Sequence, residues 1–451
     1  MTFFVNQSVF ELFFSSSPAR IGRRAWLGDA AMTVDEALYN FDLIKFYHNY
    51  LNLITDAQHN DGELPDYIPA GDYPADPNWG TALPTIAWQV HRHYNDVETL
   101  KTYYKYIITY VGYLQSVYDQ VGLVNFTDHW GDWAHPAEYP RTNMHLIGSY
   151  GFLHDVNLLL NMSRIIGEKN DTETYSKLYE HLAEEFHRVF FNSTVHYYGD
   201  GMQVAQILAL ALPNVVPSDV RQAVLNQLVS DINQKGIHST TGIVSIAQLF
   251  PLLSDNGYHD LALELISSTT YPSFGYMFSN HYENATTLWE EWDIPVPGPG
   301  TASRNHIMLG SVGAWFYTHL AGIDISSNMI TIRPRMVSEQ KKHLMLKLHC
   351  QLSTLYGVVE VSYTRDEHDT EPHSILLRIT IPSNADAQIV FEPLFTGAKC
   401  KVLKENGKII WSSDLDMSLT EEFQVEKNLM NSLMTVHIGS GEYEFYASWE
   451  N

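Results

Sequence analysis

Apolar residues recur every three to four positions from Asp29 to about Gly322, and every second position beyond it. A pattern of helical period does not settle as strands, nor the reverse. The chain is therefore a helical part followed by a β part. Val34, Leu38, Phe41, Ile44, Leu51 and Ile54 mark one face of a long first helix. A loop rich in Asp, Pro and Gly follows, from Asp61 to Asn78, and then a shorter helix from about Leu83 to His93. Asn95 or Asp96 caps the next helix, whose face is Leu100, Tyr104, Ile107, Val111 and Leu114. Further helices are predicted over 144–167, 172–190, 201–212, 217–234, 241–253, 257–268 and 303–321, about ten in all. No fixed-period repeat is visible, which argues against a solenoid. Helical hairpins stacked in a ring, with the long loops at one end, fit the pattern.

After Gly322 the segments 329–332, 344–349, 358–363, 376–381, 389–392 and 434–438 alternate or run β-branched. Asn406-Gly407, between Val402 and Ile409, signals a hairpin. The expectation is a β-sandwich packed on the helical part, with the boundary near Asp324 to Asn328. The domains are then 1–325 and 326–451.

The net charge of −25 argues against nucleic acid or anionic membranes as partners. No apolar run reaches the ~18 residues of a membrane span. Cys350 and Cys400 can pair, but two cysteines decide nothing about redox compartment. Six Asn-x-Ser/Thr sequons, starting at Asn6, Asn125, Asn161, Asn170, Asn192 and Asn284, hint at secretion. Met1 to Ser17 has no basic segment ahead of its apolar residues, so it makes a poor signal peptide.

Chemistry concentrates in Asn284-Ala285-Thr286-Thr287-Leu288-Trp289-Glu290-Glu291-Trp292-Asp293, where two tryptophans bracket two carboxylates ahead of a Pro/Gly-rich loop. An indole covers the apolar face of a pyranose, and a carboxylate accepts hydroxyl hydrogen bonds or handles a proton. Taken alone, buried tryptophans beside solvated acids explain the stretch equally well. Three more loops repeat the theme: Trp26-Leu27-Gly28-Asp29, Asp76-Pro77-Asn78-Trp79-Gly80 and Asp128-His129-Trp130-Gly131-Asp132-Trp133. A lone Asp29 reads as a helix cap, a lone Trp79 turn as a turn, and a lone His306 as structural. Four such loops at intervals in a helical ring are harder to assign to core. There is no phosphate-binding Gly loop, no His-Glu-x-x-His, no paired-Cys motif and no Gly-x-Ser-x-Gly elbow. His91 and His93 point apart on a helix, so no metal and no cofactor is expected.

The chain resembles the catalytic and C-terminal domains of the α-L-rhamnosidases, inverting glycosidases with an (α/α)6 six-hairpin toroid. The motifs that carry the resemblance run in order from about Ser16 to Trp449. They include Trp26-Leu27-Gly28-Asp29-Ala30, Tyr39-Asn40-Phe41-Asp42, Gly131-Asp132-Trp133, Thr241-Gly242-Ile243-Val244, Tyr271-Pro272-Ser273-Phe274-Gly275-Tyr276, Thr286-Thr287-Leu288-Trp289-Glu290 and Ser303-Arg304-Asn305-His306. The resemblance implies an (α/α)6 toroid, incomplete at its N-terminal end, followed by an antiparallel β-sandwich. It implies hydrolysis of terminal α-L-rhamnosides with inversion, and a rhamnosylated carbohydrate as partner. Glu290 falls on the family's general base. Arg20, Trp26, Asp29, Trp79, Asp132, Trp133 and His306 fall on sugar-contacting positions, and Trp289, beside the base, is expected to bind substrate with them.

One departure stands out. The family's first motif reads roughly Asp-Cys-Pro-x-Arg-Asp-Glu-x-x-Gly-Trp-x-Gly-Asp, and its Glu is the general acid. Here Ser16-Ser17-Pro18-Ala19-Arg20-Ile21-Gly22-Arg23-Arg24-Ala25-Trp26-Leu27-Gly28-Asp29 occupies that motif. Gly22 stands at the acid position, and Ser15 to Ala25 contains no carboxylate. The expectation is impaired hydrolysis of substrates with poor leaving groups. The alternatives are a rhamnose-binding pseudoenzyme and a six-hairpin glycosidase of other sugar specificity.

Overall fold

The computed structural model describes residues 24–69, 75–295, 302–325, 329–365, 373–394, 398–414, 417–418, 423–428 and 433–450. They form two compact units, residues 24–252 with 265–312 and residues 253–264 with 313–450. Ten helices of nine residues or more occur among the described residues: α1 (Leu27–Asn40), α2 (Ile44–Ala57), α3 (Ala82–Tyr94), α4 (Val97–Val121), α5 (Met144–Ile166), α6 (Lys169–Phe190), α7 (Gln203–Ala211), α8 (Ser218–Gln234), α9 (Ile243–Asp255) and α10 (His259–Ser267). The division between the units passes through α9 and α10.

The long first helix expected from periodicity is two. Phe41 is extended, with φ −143° and ψ 150°. The Tyr94 hydroxyl donates to Asp42 Oδ1 (2.9 Å) and accepts from the Leu43 N–H (2.9 Å). A residue of α3 thus satisfies backbone that the helix would otherwise have paired. Asp96 caps α4, accepting from the Thr99 N–H at 3.1 Å. The buried face of α4 includes Leu100, Tyr103, Ile107, Val111 and Leu114. Tyr104, expected on that face, instead sends its hydroxyl to Asp171 (3.0 Å). Asn143 caps α5 through the His145 N–H (2.9 Å), and Gly167 ends it at φ 91°. Buried residues lie all around α5, as a helix enclosed by its neighbours requires.

The predicted helix over 303–321 forms only in part. Met308–Val312 is a 3₁₀ turn in the first unit. Gly313–Trp315 is a short α turn in the second unit, and Phe316–Leu320 widens to π geometry, with the Ala321 N–H on the Phe316 carbonyl (3.0 Å).

The second unit holds two sheets. One has the order Gln424–Lys427, Met434–Ile438, Ala387–Phe391, Ile330–Ile332 and Ile323–Asp324. The other has the order Met417–Ser418, Lys408–Ser412, Lys399–Glu405, Gly441–Glu450, Ser374–Ile381, Gly357–Thr364 and Lys347–Thr354. The rings of Phe391 and Phe445 meet between them at 5.7 Å, the contact of a sandwich interior. The described pairings are antiparallel except that of Ile330–Ile332 with Ala387–Phe391. Asn406 (φ 44°) and Gly407 (φ 78°) turn the expected hairpin, since its tight turn needs positive φ at both residues. Cys350 and Cys400 are unpaired. Their strands are separated by three others, or about 19 Å at ~4.8 Å per strand, far beyond disulfide reach.

Candidate active site

The site is built from loops of the first unit. Ala25–Trp26 pairs antiparallel with Tyr67–Ile68, a short strand inside the loop expected between α2 and α3. This sets Trp26 opposite Tyr67, with the rings edge-on at 4.8 Å. The single turn Pro77–Gly80 presents Trp79. Gly28 makes room for it, because a Cβ there would stand 2.5 Å from the Trp79 ring. Trp130 is the hub of the aromatic group. Its ring meets Trp26 at 5.9 Å, Trp79 at 6.2 Å and Trp133 at 5.3 Å.

Buried carboxylates hold that hub. Asp66 accepts the Trp130 Nε1–H (2.7 Å) and the Asp76 N–H (3.0 Å). Asp76 Oδ2 accepts the His129 and Trp130 N–H groups (2.7 and 2.9 Å), while Oδ1 lies 2.6 Å from His129 Nδ1. Asp128 accepts the Gly131 N–H (2.6 Å) and the Asn78 side-chain N–H (2.8 Å). Burial pushes the Asp66 carboxyl up to about 6. Burial, and then the Asp76 charge, pushes Asp128 well above the carboxylate range. These acids shape the loop from 128 to 133.

Asp132 crosses to the start of α9. Its Oδ1 accepts the Val244 and Ser245 N–H groups (2.8 and 3.0 Å), and its Oδ2 accepts the Gly242 N–H (2.6 Å) and the Ser245 hydroxyl. These are the orphan donors of a helix N-terminus. The Trp133 carbonyl accepts a further one, from Ile243 (2.9 Å). The loop is thereby anchored at both sides of Trp133.

The stretch from 284 to 293 is not helical. The Glu290 N–H donates to the Ser303 carbonyl (2.8 Å) and the His306 N–H to the Leu288 carbonyl (2.8 Å). These two bonds tie residues 288–290 to 303–306 as an irregular ribbon, bent at 290–292. Glu290 turns inward and is 5% exposed. Its Oε1 accepts from Trp133 Nε1 (3.3 Å) and its Oε2 from the Ser303 N–H (2.6 Å). Glu291 is exposed and lines a cleft of about 620 Å³ with Trp133, Tyr139, Arg141 and Tyr271. Asp293 receives the hydroxyls of Tyr276 (3.3 Å) and Tyr282.

Opposite, Asp29 stands in the first turn of α1, behind the capping position, which Trp26 fills. Asp29 is not the cap that a lone Asp suggested. Its Oδ2 lies 3.4 Å from His306 Nε2. The His306 Nδ1 faces the Met308 N–H at 3.5 Å, which leaves Nε2 as the donor toward Asp29. Burial raises the Asp29 carboxyl above its ordinary value; the His306 charge opposes this and the Glu290 charge adds to it. Contacts thus run from Asp29 to His306, and from Glu290 through Trp133, Trp130 and Trp79 to α1 at Gly28.

Residues 6–320 match the family described as the bacterial alpha-L-rhamnosidase 6 hairpin glycosidase domain. The chain belongs to that rhamnosidase family. The alpha-L-rhamnosidase of Streptomyces avermitilis is 29% identical over 387 residues, covering 83% of this chain and 35% of the relative. That of Formosa agariphila is 26% identical over 406 residues, covering 86% and 42%. The structure of alpha-L-rhamnosidase from Dictyoglumus thermophilum superposes with a TM-score of 0.83 at 34% identity, covering 96% of this chain and 46% of that one. The Streptomyces avermitilis enzyme complexed with L-rhamnose superposes with a TM-score of 0.81 at 26% identity, covering 96% and 39%. The chain therefore spans less than half the length of these rhamnosidases.

Of the residues that the rhamnosidase resemblance singled out, the fold brings together Trp26, Asp29, Trp79, Trp133, Glu290 and His306. Arg20 and Gly22 lie outside the described residues. Two others are engaged elsewhere. Both oxygens of Asp132 are taken up at α9. Trp289 is 1% exposed, with its ring on the Arg304 guanidinium (5.0 Å) and stacked near Tyr282 (6.1 Å). Trp292 is 3% exposed and donates to the Thr241 carbonyl (2.9 Å). The two indoles bracketing the acids in sequence are thus core, the bland reading of that stretch. Trp130 was missed because its loop offered four candidates, Asp128, Trp130, Asp132 and Trp133, and only the contacts with Trp26 and Trp79 tell them apart.

Proposed function

We propose that this chain hydrolyses terminal α-L-rhamnosides with inversion of configuration, using Glu290 as general base. The observation that carries the reading is Glu290 itself. It is a buried carboxylate held by two N–H donors from different loops, beside the aromatic group and facing the Asp29–His306 pair. Two fixed donors orient a carboxylate toward one water. In the reaction Glu290 takes a proton from that water as the water oxygen bonds to the anomeric carbon and the glycosidic bond breaks. Trp26, Trp79 and Trp133 wall the sugar, and His306 and Asp29 meet its hydroxyls. Asp132 is a positioning residue: it holds Trp133 and so, at one remove, Glu290. Trp289 is a packing residue behind the base. Residues 1–325 carry this activity, and 326–451 form the accompanying β-domain. A rhamnosylated carbohydrate is the partner. The test compares Glu290→Gln with Glu291→Gln on an aryl α-L-rhamnoside. Glu290→Gln should lower kcat/KM by at least ~10² and Glu291→Gln by only a few-fold. Equal losses would end the assignment. A wild-type chain that binds L-rhamnose and cleaves nothing would be a pseudoenzyme.

A further inference from the structure

An inverting hydrolase needs a second carboxyl, placed across the scissile bond from the base, to protonate the leaving oxygen. The sequence from Ser15 to Ala25 holds none. Among the described acids near Glu290, Asp66, Asp76, Asp128, Asp132 and Asp293 each accept hydrogen bonds that shape loops or helix ends. Glu291 is exposed and lines the cleft with Tyr139, Arg141 and Tyr271. Asp29 differs from all of them. It stands in the first turn of α1 within electrostatic reach of Glu290, its side chain is 16% exposed against 6% for its partner His306, and Nε2 of that histidine lies 3.4 Å from Oδ2.

We propose that Asp29 is the proton donor to the leaving oxygen in this chain. The inference rests on the hydrolytic reading above. The proton passes from the Asp29 carboxyl to the glycosidic oxygen, which keeps the electron pair of the bond to the anomeric carbon as that bond breaks. The water oxygen forms the new bond, and the water proton goes to Glu290. Solvent then returns a proton to Asp29 and removes one from Glu290. The charged and titratable groups facing Asp29 are His306 and Glu290 from the ribbon and Tyr50 from α2. Burial and the nearby Glu290 charge favour the protonated form that a donor must have, and His306 acts against them.

The experiment uses the full chain and two substrates. One is α-L-rhamnosyl fluoride, whose fluoride leaves without a proton. The other is an α-L-rhamnosyl-glucose disaccharide, whose alkoxide does not. General acid catalysis contributes roughly 10²–10⁴. Asp29→Asn should therefore lower kcat/KM on the disaccharide by at least ~10² and on the fluoride by far less. Equal falls on both would make Asp29 a binding residue only and overturn the proposal. Wild-type cleavage of the fluoride without the disaccharide would overturn it too, while leaving the hydrolytic reading intact. Cleavage of neither would remove both. If circular dichroism shows Asp29→Asn unfolded, wild-type pH profiles decide. An alkaline limb with the disaccharide that is absent with the fluoride supports the proposal. The same profile for both substrates contradicts it.

Discussion

Trp133 Nε1 lies 3.3 Å from Glu290 Oε1, and this is the link between the loop before α5 and the ribbon that carries the proposed base. The two residues are 157 positions apart, so the bond closes the site across the first unit. A hydrogen bond to a charged group is worth about 1.5–3 kcal/mol. Trp133→Phe keeps an aromatic ring and removes the donor. It should lower kcat/KM on an aryl α-L-rhamnoside by roughly 10–100-fold, with the melting temperature almost unchanged. A loss below twofold would mean that the N–H does not orient Glu290.

Asp132 should matter first for stability. Replacing a helix cap by Ala costs about 0.5–2 kcal/mol, and each buried donor left unpaired adds about 1–3 kcal/mol. Asp132 serves three backbone N–H groups and one hydroxyl at α9. Asp132→Ala should lower the unfolding free energy by at least about 4 kcal/mol, measured by urea titration. A variant as stable as wild type but unable to bind L-rhamnose would instead make Asp132 a direct sugar ligand.

The change of period after Gly322 was a faithful guide to the two architectures, as were most helix positions and the Asn406-Gly407 turn. These follow from local patterning, which survives any later packing. The break at Phe41 to Leu43 was not legible, because the group that makes it affordable is Tyr94, on another helix. The site was legible as residue types and not as roles. Asp132 and Trp289 sit beside Trp133 and Glu290 in sequence, yet long-range partners at Gly242 to Ser245 and at Arg304 decide their packing. Conversely Asp66, Asp76 and Asp128 read as loop acids, and only the fold shows that they hold Trp130.

Glu36 on α1 gives the stability a pH dependence. It is 5% exposed; Oε1 accepts from Asn40 Nδ2 (2.9 Å), and Oε2 has no hydrogen-bond partner among the described residues. Burial, and then the Asp35 charge, push its carboxyl from 4.5 to about 8. A carboxyl whose folded pKa is raised makes the fold bind a proton that the unfolded chain has released. Stability is then fully present below about pH 4.5, falls as pH rises, and is lost above about 8. Unfolding titrations from pH 5 to 9 should show wild-type stability falling by a few kcal/mol and Glu36→Gln falling distinctly less. Parallel curves would mean that Glu36 ionises in the folded chain as it does in the unfolded one.

The stereochemistry of the first product tests the proposed chemistry most directly. Proton NMR followed from the start of α-L-rhamnosyl fluoride hydrolysis resolves the anomers before mutarotation mixes them. Attack by a water held on Glu290 predicts β-L-rhamnose first, with its formation abolished in Glu290→Gln. α-L-Rhamnose appearing first, or a Glu290→Gln variant as fast as wild type, would contradict it.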